Sequence, residues 1–101
     1  MNDDADVGDI FDNLRTPNDI AIYIKDVLEY GDAALTAEAI GNVIRFIGMA
    51  RISENTGLPR ESLYRMFSEK GNPRLGNIMA VLKSIGLKLS VETLESRDQK
   101  L

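Results

Sequence analysis

A chain of 101 residues that is 44% hydrophobic and 28% charged has the size and make-up of one small folded domain. It contains no cysteine and no histidine, which excludes disulfides and thiolate metal sites and removes the commonest general base and nitrogen ligand. Its net charge is −4, but residues 1–50 carry ten acids against three bases and residues 51–101 carry six against nine, which suggests either two surfaces with different partners or a dipolar domain whose split carries no function.

The first fifteen residues read as a flexible acidic segment. "MNDDADVGD" is the opposite of a signal peptide, and no run approaches the roughly 18 apolar residues of a membrane span, so a cytoplasmic chain with no membrane contact is expected. Ile10, Phe11 and Leu14 follow at helical spacing, either as a short helix packed on the domain or as a segment that folds on a partner.

A helix-turn-helix domain with a terminal strand is expected over residues 16–94. In "RTPNDIAIYIKDVLEYGD", Thr16 is a helix N-cap, Pro17 suits the first helical position and Asp19 favours the positive helix end. Ile20, Ile24, Val27 and Leu28 share one face, with Tyr23 beside them, and Gly31 ends the helix. Asp32 caps a second helix to about Ile47, with Leu35, Ala39, Ile40, Val43, Ile44 and Ile47 as its inner stripe. Gly48 closes it. A third helix spans Met49 to Thr56 with Met49 and Ile52 inward, and a fourth runs from about Pro59 to Phe67 on Leu63 and either Met66 or Phe67. "SEKGNP" is a turn. A fifth helix covers Arg74 to Ser84, with Leu75, Ile78, Met79 and Leu82 as its apolar face, and Gly86 stops it. Leu87 to Leu94 alternates in period two and reads as a half-buried strand. Residues 95–101 are expected to be a tail.

The stretch from Arg51 to Arg74 holds five of the twelve lysines and arginines. Helices three and four flank a tight turn in which Gly57 supplies a positive φ, Ser53 keeps the crossing narrow and Leu58 anchors inward. With Leu63 buried, Arg60, Glu61, Ser62, Tyr64 and Arg65 fall on the outer face or flanks of helix four. That is the face a recognition helix presents to a major groove, where arginine pairs bidentately with guanine. Arg51, Lys70, Asn72 and Arg74 flank it as candidate phosphate contacts.

The segment "GMARISENTGLPRESLYRMFSEKGNPRLGNIMAVLKSIGLKLSV", extended back through "LEYGDAALTAEAIGNVIRFIG", resembles the HigA-type addiction module antidote family, bacterial antitoxins with a Cro/C1-type (XRE-like) helix-turn-helix. The resemblance covers roughly residues 16–92, and "TGL-RESLYR" and "GNPR" are its distinctive elements. It implies five helices, a homodimer on a double-stranded DNA operator, autorepression, and a small basic toxin of the RelE/ParE superfamily as partner. Pro59 stands where serine is commoner in the family. Under this resemblance the acidic half gains a role, with Asp9, Ile10, Phe11 and Leu14 as candidate toxin contacts.

The expectation is therefore an all-α, five-helix Cro/C1-repressor-like domain with one short C-terminal β-strand. A prophage-type repressor without a toxin and a protein-interaction module without DNA are the alternatives. An enzyme, a cofactor or a metal is not expected, because no spacing groups the carboxylates, lysines, serines and tyrosines into a site. "GDAALTAEAIG" lacks the lysine and glycine pattern of a phosphate loop.

Overall fold

The computed structural model describes residues 14–94. The expectations for Asp9, Ile10, Phe11 and the 95–101 tail lie outside the described residues.

Thr16 opens the first helix, α1, which runs Pro17–Leu28. Its hydroxyl accepts the Asp19 N–H at 3.2 Å, and the Asp19 carboxylate accepts the Thr16 N–H at 3.0 Å, closing a capping box. The Arg15 N–H donates to the same carboxylate at 2.9 Å. These backbone donors, Arg15 foremost, hold the Asp19 carboxyl below its ordinary value. Asp32 is the N-cap of α2 (Ala33–Ile47), its carboxylate accepting the Leu35 N–H at 3.0 Å. Gly48 stops α2 at φ 127°, a backbone setting side chains rarely permit. Helix α3 (Met49–Thr56) then leaves at 102° to α2. Helices α4 (Arg60–Met66) and α5 (Leu75–Ile85) follow. Among the described residues these five helices are all the regular structure, and no single one is long and apolar enough to cross a membrane.

Helix α3 packs on α2, α4 and α5, while α1 lies on α2. Their junction is filled by Val43, Ile44, Ile52, Leu63, Phe67 and Val81, all fully buried. No polar or charged side chain among the described residues is buried with them, so the core carries no desolvated polar group. Gly41 lets α2 approach the end of α4 closely, since a Cβ there would run into the carbonyl of Phe67.

Four residues expected to face inward are exposed, while most of the expected stripes on α1 and α2 are buried. On α5 the buried residues are Val81 and Leu82, with Ile78 and Ile85 packed against the core, while Leu75 is 64% and Met79 52% exposed. Leu28 on α1 and Leu35 on α2 are likewise exposed.

The expected strand from Leu87 to Leu94 is not formed. Gly86 ends α5 at φ 95° and ψ 20°, and the Leu87 N–H donates back to the Leu82 carbonyl at 2.8 Å. Beyond it, no turn or bend interrupts the segment. It runs beside α1, walling a groove with Ile24 and Leu28, and Glu92 Oε2 lies 3.5 Å from Lys25 Nζ. A strand exists only with a ladder partner, and no other described segment provides one.

Candidate nucleic-acid interface

The connection between α3 and α4 is fixed by short-range bonds. Gly57 takes the left-handed conformation, φ 79° and ψ 4°, and its N–H donates to the Ser53 carbonyl at 2.8 Å. A bulky side chain at Gly57 would be strained by that φ whatever space surrounds it. The Ser53 hydroxyl spans the turn and donates to the Leu58 carbonyl at 2.6 Å. Thr56 Oγ1 donates to the Ile52 carbonyl at 2.7 Å and accepts the Leu58 N–H at 3.2 Å. Residue size alone predicts a small side chain at position 53; the hydroxyl bridge is visible only in the structure. Pro59 then stands at the N-cap of α4 with φ −62° and ψ 147°, and no side chain caps the helix. Its ring fixes φ without a hydrogen bond.

Leu63 and Phe67 hold α4 to the core with no exposed surface. Phe67, rather than Met66, is the deeper anchor; Met66 is half-buried. At 100° per residue Glu61 and Arg65 then fall opposite these anchors and Tyr64 on the flank, while Arg60, on the same side as Leu63, opens the helix; all four are exposed. Ser62 is half-buried and accepts from Arg65 Nη2 at 3.5 Å. Glu61 occupies the first turn, where a carboxylate favours the helix dipole.

The turn after α4 folds back on its last carbonyls. The Gly71 N–H donates to the Ser68 carbonyl at 2.9 Å, and a Cβ on Gly71 would collide with the carbonyls of Arg65 and Met66. Asn77 Nδ2 reaches Met66 Sδ at 3.2 Å and ties the start of α5 to the same end. Lys70, exposed on this turn, and Arg74, exposed at the N-cap of α5, are thereby held at the C-terminal end of α4. Among the described residues Arg60, Arg65, Lys70 and Arg74 make no ion pair. The result is four cations without ion pairs, one phenol and one carboxylate around a short helix. Such an arrangement can bind anions and base edges.

Not every expected residue joins this face. Arg51 lines a groove with Leu14, Thr16, Pro17, Ile47 and Ile85, because the 102° bend between α2 and α3 turns the first turn of α3 toward the start of α1. Asn72 is exposed but borders a separate apolar groove with Leu28, Ile40 and Ile78. Leu14, expected as a toxin contact, is a core residue at 8% exposure. Its side chain packs in the cluster with Ile20 and Ile24.

A compact helical unit with an exposed cationic helix on one side and an acid-rich first half is the setting for the comparisons with known proteins. The chain belongs to the family of addiction module antidotes, whose model, described as "Probable addiction module antidote protein", matches residues 5–93. It is also similar to an uncharacterized protein of Haemophilus influenzae, 30% identical over 84 residues that make up 83% of this chain and 87% of that relative. No solved structure matches. An antidote is defined by the toxin it answers, so membership implies a toxin partner.

Proposed function

We propose that the protein is a HigA-type antidote that represses its own operon and neutralises a small basic toxin of the RelE/ParE superfamily. In this reading α3, the Gly57 turn and α4 form a Cro/C1-type helix-turn-helix, and a homodimer sets two copies of α4 into successive major grooves about 34 Å apart. The observation that carries it is the exposed surface of α4, on which Arg65 stands opposite the fully buried Leu63 and Phe67, Tyr64 lies on the flank and Arg60 is exposed at the helix start. Arg60 and Arg65 read guanine edges, and Tyr64 contacts a phosphate or a thymine methyl. Lys70 and Arg74 hold the flanking backbone. A net negative chain is no obstacle, since charges further than about 8–10 Å from a phosphate are screened at physiological salt. The acids of the first half steer the basic toxin by long-range attraction. No catalytic step and no cofactor belong to this reading.

Gel shift or fluorescence anisotropy on the protein's own promoter tests it. Arg60→Ala and Arg65→Ala should each cost about 1–3 kcal/mol of operator affinity, while Lys70→Ala should weaken all sequences alike and flatten the salt dependence. Unchanged affinity in the Arg60→Ala/Arg65→Ala double variant, with helicity intact by circular dichroism, would sink the DNA reading. Pull-down with the product of the neighbouring gene tests the toxin half separately.

A further inference from the structure

We propose that residues 87–94 form the contact between two copies of this chain, as an antiparallel pair of identical segments with its two-fold axis at Ser90. This deepens the dimer invoked above and rests on that reading only for the dimer, not for the DNA.

The first argument is an unmet demand. Among the described residues no backbone hydrogen bond involves residues 88–94, although no turn or bend interrupts them. A row of unpaired donors and acceptors is a template for another chain. The segment also shows apolar side chains to solvent, with Val91 94% and Leu94 79% exposed. Its exit is fixed, because Gly86 ends α5 in the left-handed region and Leu87 packs against the core.

The second argument is self-complementarity. In an antiparallel pair centred on Ser90, Lys88 of each copy faces Glu92 of the other, so two opposite-charge pairs form at once. Leu89 then faces Val91 twice, and Leu87 faces Thr93 twice, all on the other face. A slip of two residues sets Lys88 against Leu94 and Glu92 against Ser90. A parallel in-register pair sets Lys88 beside Lys88. Only the Ser90-centred register satisfies both faces. In the single chain Lys88 has no ion pair among the described residues, and Glu92 has only Lys25, at 3.5 Å with both side chains largely exposed, a weak tie. A two-stranded ribbon alone is marginal; Leu87, Leu89 and Thr93 of its apolar face already wall a groove with Ile24, Leu28 and Leu82, which ties the ribbon to α1 and α5 and leaves Val91 exposed for the partner copy.

Sedimentation equilibrium on the full chain without DNA tests the inference. The wild type should dimerise. Lys88→Glu and Glu92→Lys should each raise the dimer dissociation constant about tenfold, since each turns two attractions into repulsions. The double variant Lys88→Glu/Glu92→Lys should restore dimerisation, whereas Lys25→Ala should leave it unchanged. N–H groups alternate in direction along a strand, so one of Ser90→Pro and Val91→Pro must remove a ladder donor and abolish the dimer. These positions are exposed, so helicity should survive in every variant. A monomeric wild type, single reversals without effect, or a double variant that fails to recover would each overturn the proposal. A monomer that still shifts its own promoter overturns this interface and leaves the DNA reading standing; a dimer that obeys the charge swap but ignores the promoter does the reverse.

Discussion

The α3–α4 unit and the segment after α5 are both short, and they are held by opposite means. Between Ser53 and Leu58, three backbone or hydroxyl bonds and a left-handed glycine fix the path, and Leu63 and Phe67 bury everything beneath it. Past Leu87 the described chain relies on one exposed ion pair and a partly open groove. The first region satisfies its turn hydrogen bonds within a few residues, so the path of the turn is set locally. The second has strand-like sequence, but among the described residues no backbone hydrogen bond involves residues 88–94.

The contrast is broken most directly by paired truncations. Leu63→Ala should cost about 2–5 kcal/mol in urea unfolding, because a fully buried leucine leaves a cavity at the junction of α3, α4 and α5. Val91→Ala should stay within about 0.5 kcal/mol at protein concentrations too low for self-association. Equal costs would mean that the segment is part of the folded core.

A smaller effect is expected at the turn. Gly57→Ala should lose about 1–2 kcal/mol, the cost of a Cβ in the left-handed region, and should weaken promoter binding as α4 is displaced. Thermal melts and anisotropy on the same variant check whether the two losses go together.

At the start of α1, Thr16→Ala should cost about 0.5–2 kcal/mol by opening the capping box. The same box gives a pH signature. Asp19 has its carboxyl lowered by the Arg15 and Thr16 N–H groups, so its contribution is complete above the unfolded value, about pH 4, and disappears as pH falls through the lower folded value. Asp19→Asn should therefore narrow the gap between melting temperatures at neutral and strongly acidic pH. An acid limb identical to wild type would remove Asp19 from the account.

The smallest change belongs to Lys25→Ala, which deletes the tie to Glu92 and should alter stability by less than about 1 kcal/mol. A larger loss would show that the segment beside α1 is anchored more firmly than one exposed pair allows.

What the sequence determined by itself is the set of decisions made within four or five residues. Thr16 and Asp32 cap the helices they were expected to cap, and Gly57 and Gly86 end theirs in the left-handed region, because caps and turns depend on local donors and on which residue tolerates positive φ. The outward face of α4 was legible for the same reason, since one buried leucine at position 63 fixes the rotation of a seven-residue helix. The tertiary structure alone decided how far each longer stripe turns, burying Val81 while leaving Leu75 and Met79 in solvent, and which groove receives Arg51. It also decided that Leu87 to Leu94 forms no strand within the described chain. Periodicity defines an apolar face only to about 100° of arc, and the neighbouring helices choose within it. A strand's partner is never contained in the strand's own residues.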